Sequence, residues 1–235
     1  PEDWGYFADG ESPEILIGDM NKLRTLSQEP DKPYFMLGHS MGSYLLRRYL
    51  SVYGGGLSGA VIMGTGANPD AVAKLGMAVC KAIAAFKGWK YRSPFMEKLF
   101  FSGDFQKFDM SGTHPENSWL TKDTEIVRFY YSEPRCTFKF PLKAYYDFLK
   151  TVYYVNRKEN VEKIPKDLPI LMVAGDCDPV GEFGKAVKRV YEMYKAAGIN
   201  DVTLKLYEND RHEILNETDK ERVFDDIFNW CESRQ

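Results

Sequence analysis

Short uninterrupted apolar runs, each closed by glycine or a polar turn, alternate along the chain with stretches whose apolar residues recur every three or four positions. Tyr34-Phe35-Met36-Leu37, Ala60-Val61-Ile62-Met63 and Pro169 to Ala174 belong to the first kind and predict strands buried on both faces. Val202, Leu204 and Leu206 alternate with Thr203 and Lys205, which predicts a half-exposed strand near a sheet edge. Among the second kind, Ser12-Pro13-Glu14 opens a helix carrying Leu16, Met20 and Leu23, with the Ser12 hydroxyl as cap and Pro13 at the first helical position. Tyr44 to Leu50 form a helix that Gly54, Gly55 and Gly56 end. Phe183, Val187, Val190 and Tyr194 form another, closed by Gly198, and Val223, Phe224, Ile227, Phe228 and Cys231 the last.

Helices and strands thus alternate, which predicts an α/β fold with a mostly parallel sheet covered on both faces. Residues 67–165 break the pattern with helical, aromatic-rich stretches and no strand alternation. They predict a helical cap inserted into a core made of residues 1–66 and 166–235.

Composition narrows the function. A net charge of -3 with mixed signs along the 235 residues offers no basic face for nucleic acid and points to a small-molecule partner. Cys80, Cys136, Cys177 and Cys231 are too scattered for metal-ligand spacing or a disulfide framework, so no metal is expected and a reducing cytoplasm is. No apolar run has transmembrane length.

Between the first strand and its helix lies Gly38-His39-Ser40-Met41-Gly42. A strand turning sharply into a helix forces a strained backbone on Ser40, for which Gly38 and Gly42 leave room, and presents its hydroxyl at the sheet's end. The Met41 N–H then sits at a helix N-terminus, able to stabilise an oxyanion. A serine hydroxyl needs a base, and a carboxylate to orient that base. Of three histidines, His39 lies inside the turn, pointing away from the hydroxyl, and His114 in an irregular loop; His212 follows the last strand and is the expected base. Asp178, in Gly175-Asp176-Cys177-Asp178-Pro179, is the preferred acid. Asp176, better placed to bind turn amides, and Asp70 are the alternatives.

Gly-His-Ser-Met-Gly at 38–42, Gly175 to Gly181 and Arg211-His212-Glu213-Ile214-Leu215 resemble the monoacylglycerol lipase and lysophospholipase-like branch of the α/β-hydrolases, often labelled serine-aminopeptidase-like. The resemblance places the nucleophile on Ser40, the acid on Asp178 and the base on His212, with no metal or organic cofactor. It also implies several strands ahead of Ser12 and a His-Gly oxyanion motif, neither of which occurs in the sequence. The Tyr34 to Leu37 strand would then have one unpaired side. The sequence therefore predicts a fragment of a longer protein, something missing ahead of Pro1, or a second chain or swapped protomer completing the sheet. Met41 N–H would be the only oxyanion donor within the chain.

More than half of the aromatic residues lie between Phe86 and Tyr154, among them Trp89, Phe100, Phe101, Phe105, Trp119 and Phe148. Most are expected to pack the cap's own core, and together they favour an apolar pocket for an acyl chain. The expected activity is hydrolysis of lipid-like carboxylic esters, monoacylglycerol or lysophospholipid, with transient membrane-surface contact. An aminopeptidase or amidase with the same triad, a carbon–carbon hydrolase and a catalytically silent binding module are the competing readings.

Overall fold

The computed structural model describes residues 2–234, so Pro1 lies outside the described residues. Four strands, β1 (Phe35–His39), β2 (Gly59–Met63), β3 (Ile170–Gly175) and β4 (Val202–Tyr207), form a parallel sheet in sequence order. The helices are α1 (Ser12–Ser27), α2 (Met41–Tyr53), α3 (Asp70–Lys87), α4 (Pro94–Phe100), α5 (Thr124–Ser132), α6 (Pro134–Thr137), α7 (Leu142–Val155), α8 (Lys158–Val161), α9 (Lys185–Ala196) and α10 (Lys220–Glu232).

Strand side chains alternate between two cores. Ala60, Ile62, Ile170 and Met172 pack with Ile17 of α1, Leu46, Tyr49 and Leu50 of α2, and Val187, Val190 and Tyr194 of α9. Val61, Met63, Leu171 and Val173 face Val223 and Trp230 of α10. Because both faces of β2 and β3 are covered, both strands are buried throughout, which is why they read as unbroken apolar runs. The partly exposed β4 lies at one edge, as its alternation predicts. At the other edge β1 pairs with β2 alone among the described residues, and Leu37 is left exposed.

Two local expectations change. Ser12 is the first helical residue rather than the cap; Glu11 precedes the helix without a side-chain cap bond. The Ser12 hydroxyl is instead buried, donating to the Ala8 carbonyl and accepting from Lys143, which is itself 2.6 Å from Asp147. A tertiary contact has taken over the role assigned to it by local pattern. The first strand also runs to His39, two residues beyond its apolar run, carrying the sheet right up to Ser40.

Residues 67–165 contain only helices and an isolated bridge between Asp109 and Ser118. Cys80 and Ala84 of α3, Met96 of α4, and Leu142, Tyr145 and Leu149 of α7 make a separate core there. The buried Arg47 guanidinium of α2 ties down the root of this segment, donating to the Gly66 carbonyl at 2.8 Å, the Val155 carbonyl at 3.2 Å and Asn156 Oδ1 at 2.9 Å.

Candidate active site

The chain turns from β1 into α2 at Ser40, whose φ of 54° and ψ of -124° are strained for a residue with a side chain. The Ser40 N–H donates to the Met63 carbonyl at 3.0 Å, and its own carbonyl accepts from the Ser43 N–H and hydroxyl, so the turn is fixed from both sides. Gly38 is needed for it: a Cβ there would lie 2.5 Å from the Gly42 carbonyl oxygen. At Gly42 a Cβ would meet nothing within 4 Å, so the space expected to be needed at both glycines is needed at one. Met41 is the first residue of α2, where the N–H groups of the opening turn have no intrahelical acceptor.

Asp178 and His212, 34 positions apart, meet at the carboxyl ends of β3 and β4. The His212 Nδ1–H donates to Asp178 Oδ2 at 2.9 Å, and both side chains are buried. Asp178 Oδ1 accepts from the Val180 N–H at 2.8 Å, which fixes the carboxylate plane. Donation from Nδ1 leaves the lone pair on His212 Nε2, which is buried without a hydrogen-bond partner. Such a nitrogen is suited to take a proton from a hydroxyl brought to it.

The loop carrying His212 crosses the end of β3 at Gly175, where a Cβ would collide with the carbonyls of Asp210 and Arg211. It is bolted to the segment ahead of α5. Arg211 donates to the carbonyls of Ser118, Glu116 and Thr121. Glu217, fully buried, accepts from the Arg211 N–H at 2.8 Å and the Lys122 N–H at 3.0 Å, while Lys122 Nζ reaches the buried Asp210 at 2.8 Å. The His212 N–H donates to the Trp119 carbonyl at 3.3 Å, and the indole lies 5.0 Å from the imidazole, tilted by 31°. The His39 ring lies 4.6 Å from that of His212, and its Nε2–H donates to the His212 carbonyl at 3.0 Å. Burial, reinforced by His212 beside it, holds the His39 pKa down at about 4, so this ring is neutral.

The other candidates lie elsewhere. Asp176 Oδ1 accepts from the Asn209 N–H at 2.8 Å, the turn-amide role expected of it. Asp70 pairs with Arg157 at 3.1 Å, and His114 is exposed beside Glu116. Trp119 and His39 are contacts of His212 that the spacing of residues does not reveal. His39 was visible within the motif, but nothing local shows that it reaches a loop 173 positions away. Among the described residues no three His, Cys, Asp or Glu side chains gather to hold a metal ion, and no helix is long and apolar enough to cross a membrane.

From Trp119 a chain of ring contacts leads through Phe101, Phe100 and Phe148 to Tyr44 of α2, with centroids 5.1–6.2 Å apart. It joins the aromatic-rich segment to the helix that follows Ser40.

The chain as a whole is similar to known proteins. A monoacylglycerol lipase of Mycolicibacterium smegmatis is 26% identical over 212 residues, covering 88% of this chain and 65% of the relative, so the chain spans about two thirds of that relative's length. A thermostable carboxyl esterase from Bacillus coagulans, solved in complex with glycerol, superposes with a TM-score of 0.84 at 29% identity, covering 94% of this chain and 72% of the esterase. A soluble variant of monoglyceride lipase from Saccharomyces cerevisiae shares the fold, with a TM-score of 0.74 at 20% identity over 100% of this chain and 73% of the lipase. Neither the fold of this single chain nor these similarities support a swapped protomer at the open side of β1. Residues 5–219 match the family described as serine aminopeptidase, S33, and the chain belongs to that family of α/β-hydrolases.

Proposed function

We propose that this protein hydrolyses carboxylic esters of lipid-like substrates, monoacylglycerol or lysophospholipid, through an acyl-enzyme on Ser40. The observation that carries the reading is the buried Asp178–His212 pair, whose Nε2 is left without a partner at the end of the sheet where Ser40 turns. In this mechanism His212 Nε2 takes the Ser40 proton as the hydroxyl oxygen attacks the ester carbonyl, and Asp178 holds the resulting imidazolium. The Met41 N–H, at the start of α2, donates to the oxyanion. His212 then returns the proton to the leaving alcohol. In the second half it takes a proton from water as the water oxygen attacks the acyl-serine, and returns that proton to Ser40 Oγ as the acyl–oxygen bond breaks and the acid leaves.

Residues 67–165 serve as the cap, with the ring chain from Trp119 to Tyr44 as an apolar wall suited to an acyl chain. The names of the similar lipase and esterase favour an ester substrate. Exposed apolar side chains on α3 and α4 suit transient contact with a membrane surface, and four unpaired cysteines suit a reducing cytoplasm.

The family description favours a second reading, an aminopeptidase or amidase using the same three residues. A fluorophosphonate probe should label the protein and not its Ser40→Ala variant, and monoacylglycerols and medium-chain esters should turn over faster than aminoacyl amides. Amide turnover without ester turnover would establish the second reading. An unlabelled protein would leave a silent binding module.

A further inference from the structure

His39 ends β1, and its side chain is spent on a residue far along the chain. Its Nε2–H reaches the His212 carbonyl, and its ring lies 4.6 Å from the His212 imidazole, tilted by 40°. Gly64 shapes the same slot: a Cβ there would lie 3.1 Å from His212 Cε1 and 3.3 Å from His39 Cδ2. Asp178 holds His212 Nδ1 and the Trp119 carbonyl holds the His212 N–H. Among these contacts, His39 is the one that supplies a donor to the His212 carbonyl.

Resting on the hydrolysis proposed above, the geometry points to His39 as a positioning residue, a neutral donor that fixes the His212 main chain and ring plane so that Nε2 stays directed at the serine. Neutrality matters to this role. An arginine or lysine head group could also satisfy the carbonyl, but would set a permanent cation beside a ring that must itself become cationic during the reaction. A buried imidazole donates without carrying charge; the ionisable neighbours acting on it are His212 and Asp178. The immediate neighbour of the nucleophile in sequence thereby sets the place of the base in space.

The test separates the donor from the ring. His39→Phe keeps the packing and removes the donor, whereas His39→Gln carries an amide N–H close to the position of imidazole Nε2. His39→Phe should lower kcat for a soluble ester about 10- to 100-fold with KM within about 2-fold, and slow fluorophosphonate labelling by the same factor. It should also broaden the His212 Nδ1–H proton resonance relative to the wild-type protein. His39→Gln should recover turnover to within about 3-fold of wild type and restore the resonance. A His39→Phe variant as fast as wild type, or Phe and Gln variants equally slow, would overturn the proposal. Should His39→Phe not fold, His39→Asn, whose amide falls short of the carbonyl, takes its place. If the wild-type protein neither labels nor turns over ester, the hydrolase reading fails by itself. The resonance then decides the role of His39: unchanged in His39→Phe rejects it, broadened in Phe and restored in Gln upholds it.

Discussion

Ser40 holds a backbone conformation that costs a non-glycine residue about 1–3 kcal/mol and persists only where its surroundings impose it. One of those surroundings is Gly38, packed so closely against the first turn of α2 that even a methyl group has no room. Gly38→Ala should therefore force the turn open and destabilise the protein by about 2 kcal/mol or more, since the clash is with backbone rather than a yielding side chain. Gly42→Ala should do the opposite. It adds a methyl group in open space within a helix, where alanine is favoured over glycine by about 1 kcal/mol. Urea denaturation midpoints of the two variants check this, and equal losses would mean that both glycines are sterically required. The five-residue motif presents its glycines symmetrically, and only the packing shows which of them is confined. The strand, turn and helix around Ser40 and the loops holding Asp178 and His212 were legible because each is announced by residues next to it. His39 reaching His212 was not, because no local pattern encodes a contact between distant loops.

Strands and helices were legible for a related reason: burial on two faces writes an unbroken apolar run, burial on one face writes a period. Ser12 shows the limit. Its hydroxyl had a sound local role as a cap, but Lys143 and Asp147 of α7 draw it into a buried network that no window around residue 12 contains. Connections between elements are hidden in the same way, and Lys122 is the clearest case. It stands between the segment ahead of α5 and the loop of His212, with Nζ 2.8 Å from Asp210 and 3.8 Å from Glu217, both carboxylates fully buried. Removing the ammonium leaves Glu217 with its two backbone N–H donors and Asp210 with Arg222 alone, at 3.6 Å, as a nearby cation, so Lys122→Met should cost about 3 kcal/mol near neutral pH. The loss should depend on pH with a definite sign. Burial raises the Asp210 pKa above 3.8, and Lys122 is the main influence pulling it back. Without Lys122 the folded-state pKa climbs further, and the folded protein holds that proton more tightly than the unfolded chain does. A contribution of this kind is fully present below the unfolded pKa and lost as pH rises through the folded one. Denaturation midpoints should thus lie close to wild type at pH 4 and fall well below it at pH 8. A deficit independent of pH would show that Lys122 acts by packing alone.

Across the whole molecule, Ser40, Asp178 and His212 all follow the carboxyl ends of parallel strands, where the strand twist and short turns bring loops from separate strands together. Residues 67–165 lean on that end through Trp119, and two of their helices carry exposed apolar side chains. Val72, Leu75 and Phe86 recur along α3, with Phe86 88% exposed, and α4 adds Phe95 and Leu99. Lys74, Lys81, Lys87 and Lys98 lie on the same helices. The acids of these helices, Asp70 and Glu97, are engaged by Arg157 and Lys139. Lys74 and Lys81 rest over the Tyr153 and Tyr146 rings of α7, and exposed apolar side chains with lysines on the same helices fit an anionic lipid surface, because rings can enter the headgroup boundary while ammonium groups meet phosphate. The protein should consequently sediment with anionic vesicles at low salt, and much less with zwitterionic ones. Burying a phenylalanine fully is worth about 1.5–3 kcal/mol, and 1.4 kcal/mol is tenfold in affinity, so the double variant Phe86→Ser, Phe95→Ser should weaken partition about 10-fold or more even with partial insertion. Turnover of a soluble short-chain ester should be unchanged in that variant, since neither ring belongs to the site, while turnover of vesicle-borne monoacylglycerol should fall with the bound fraction. Equal partition of variant and wild type would remove α3 and α4 as the contacting face. Equal binding to anionic and zwitterionic vesicles would remove the lysines from the explanation and leave the rings.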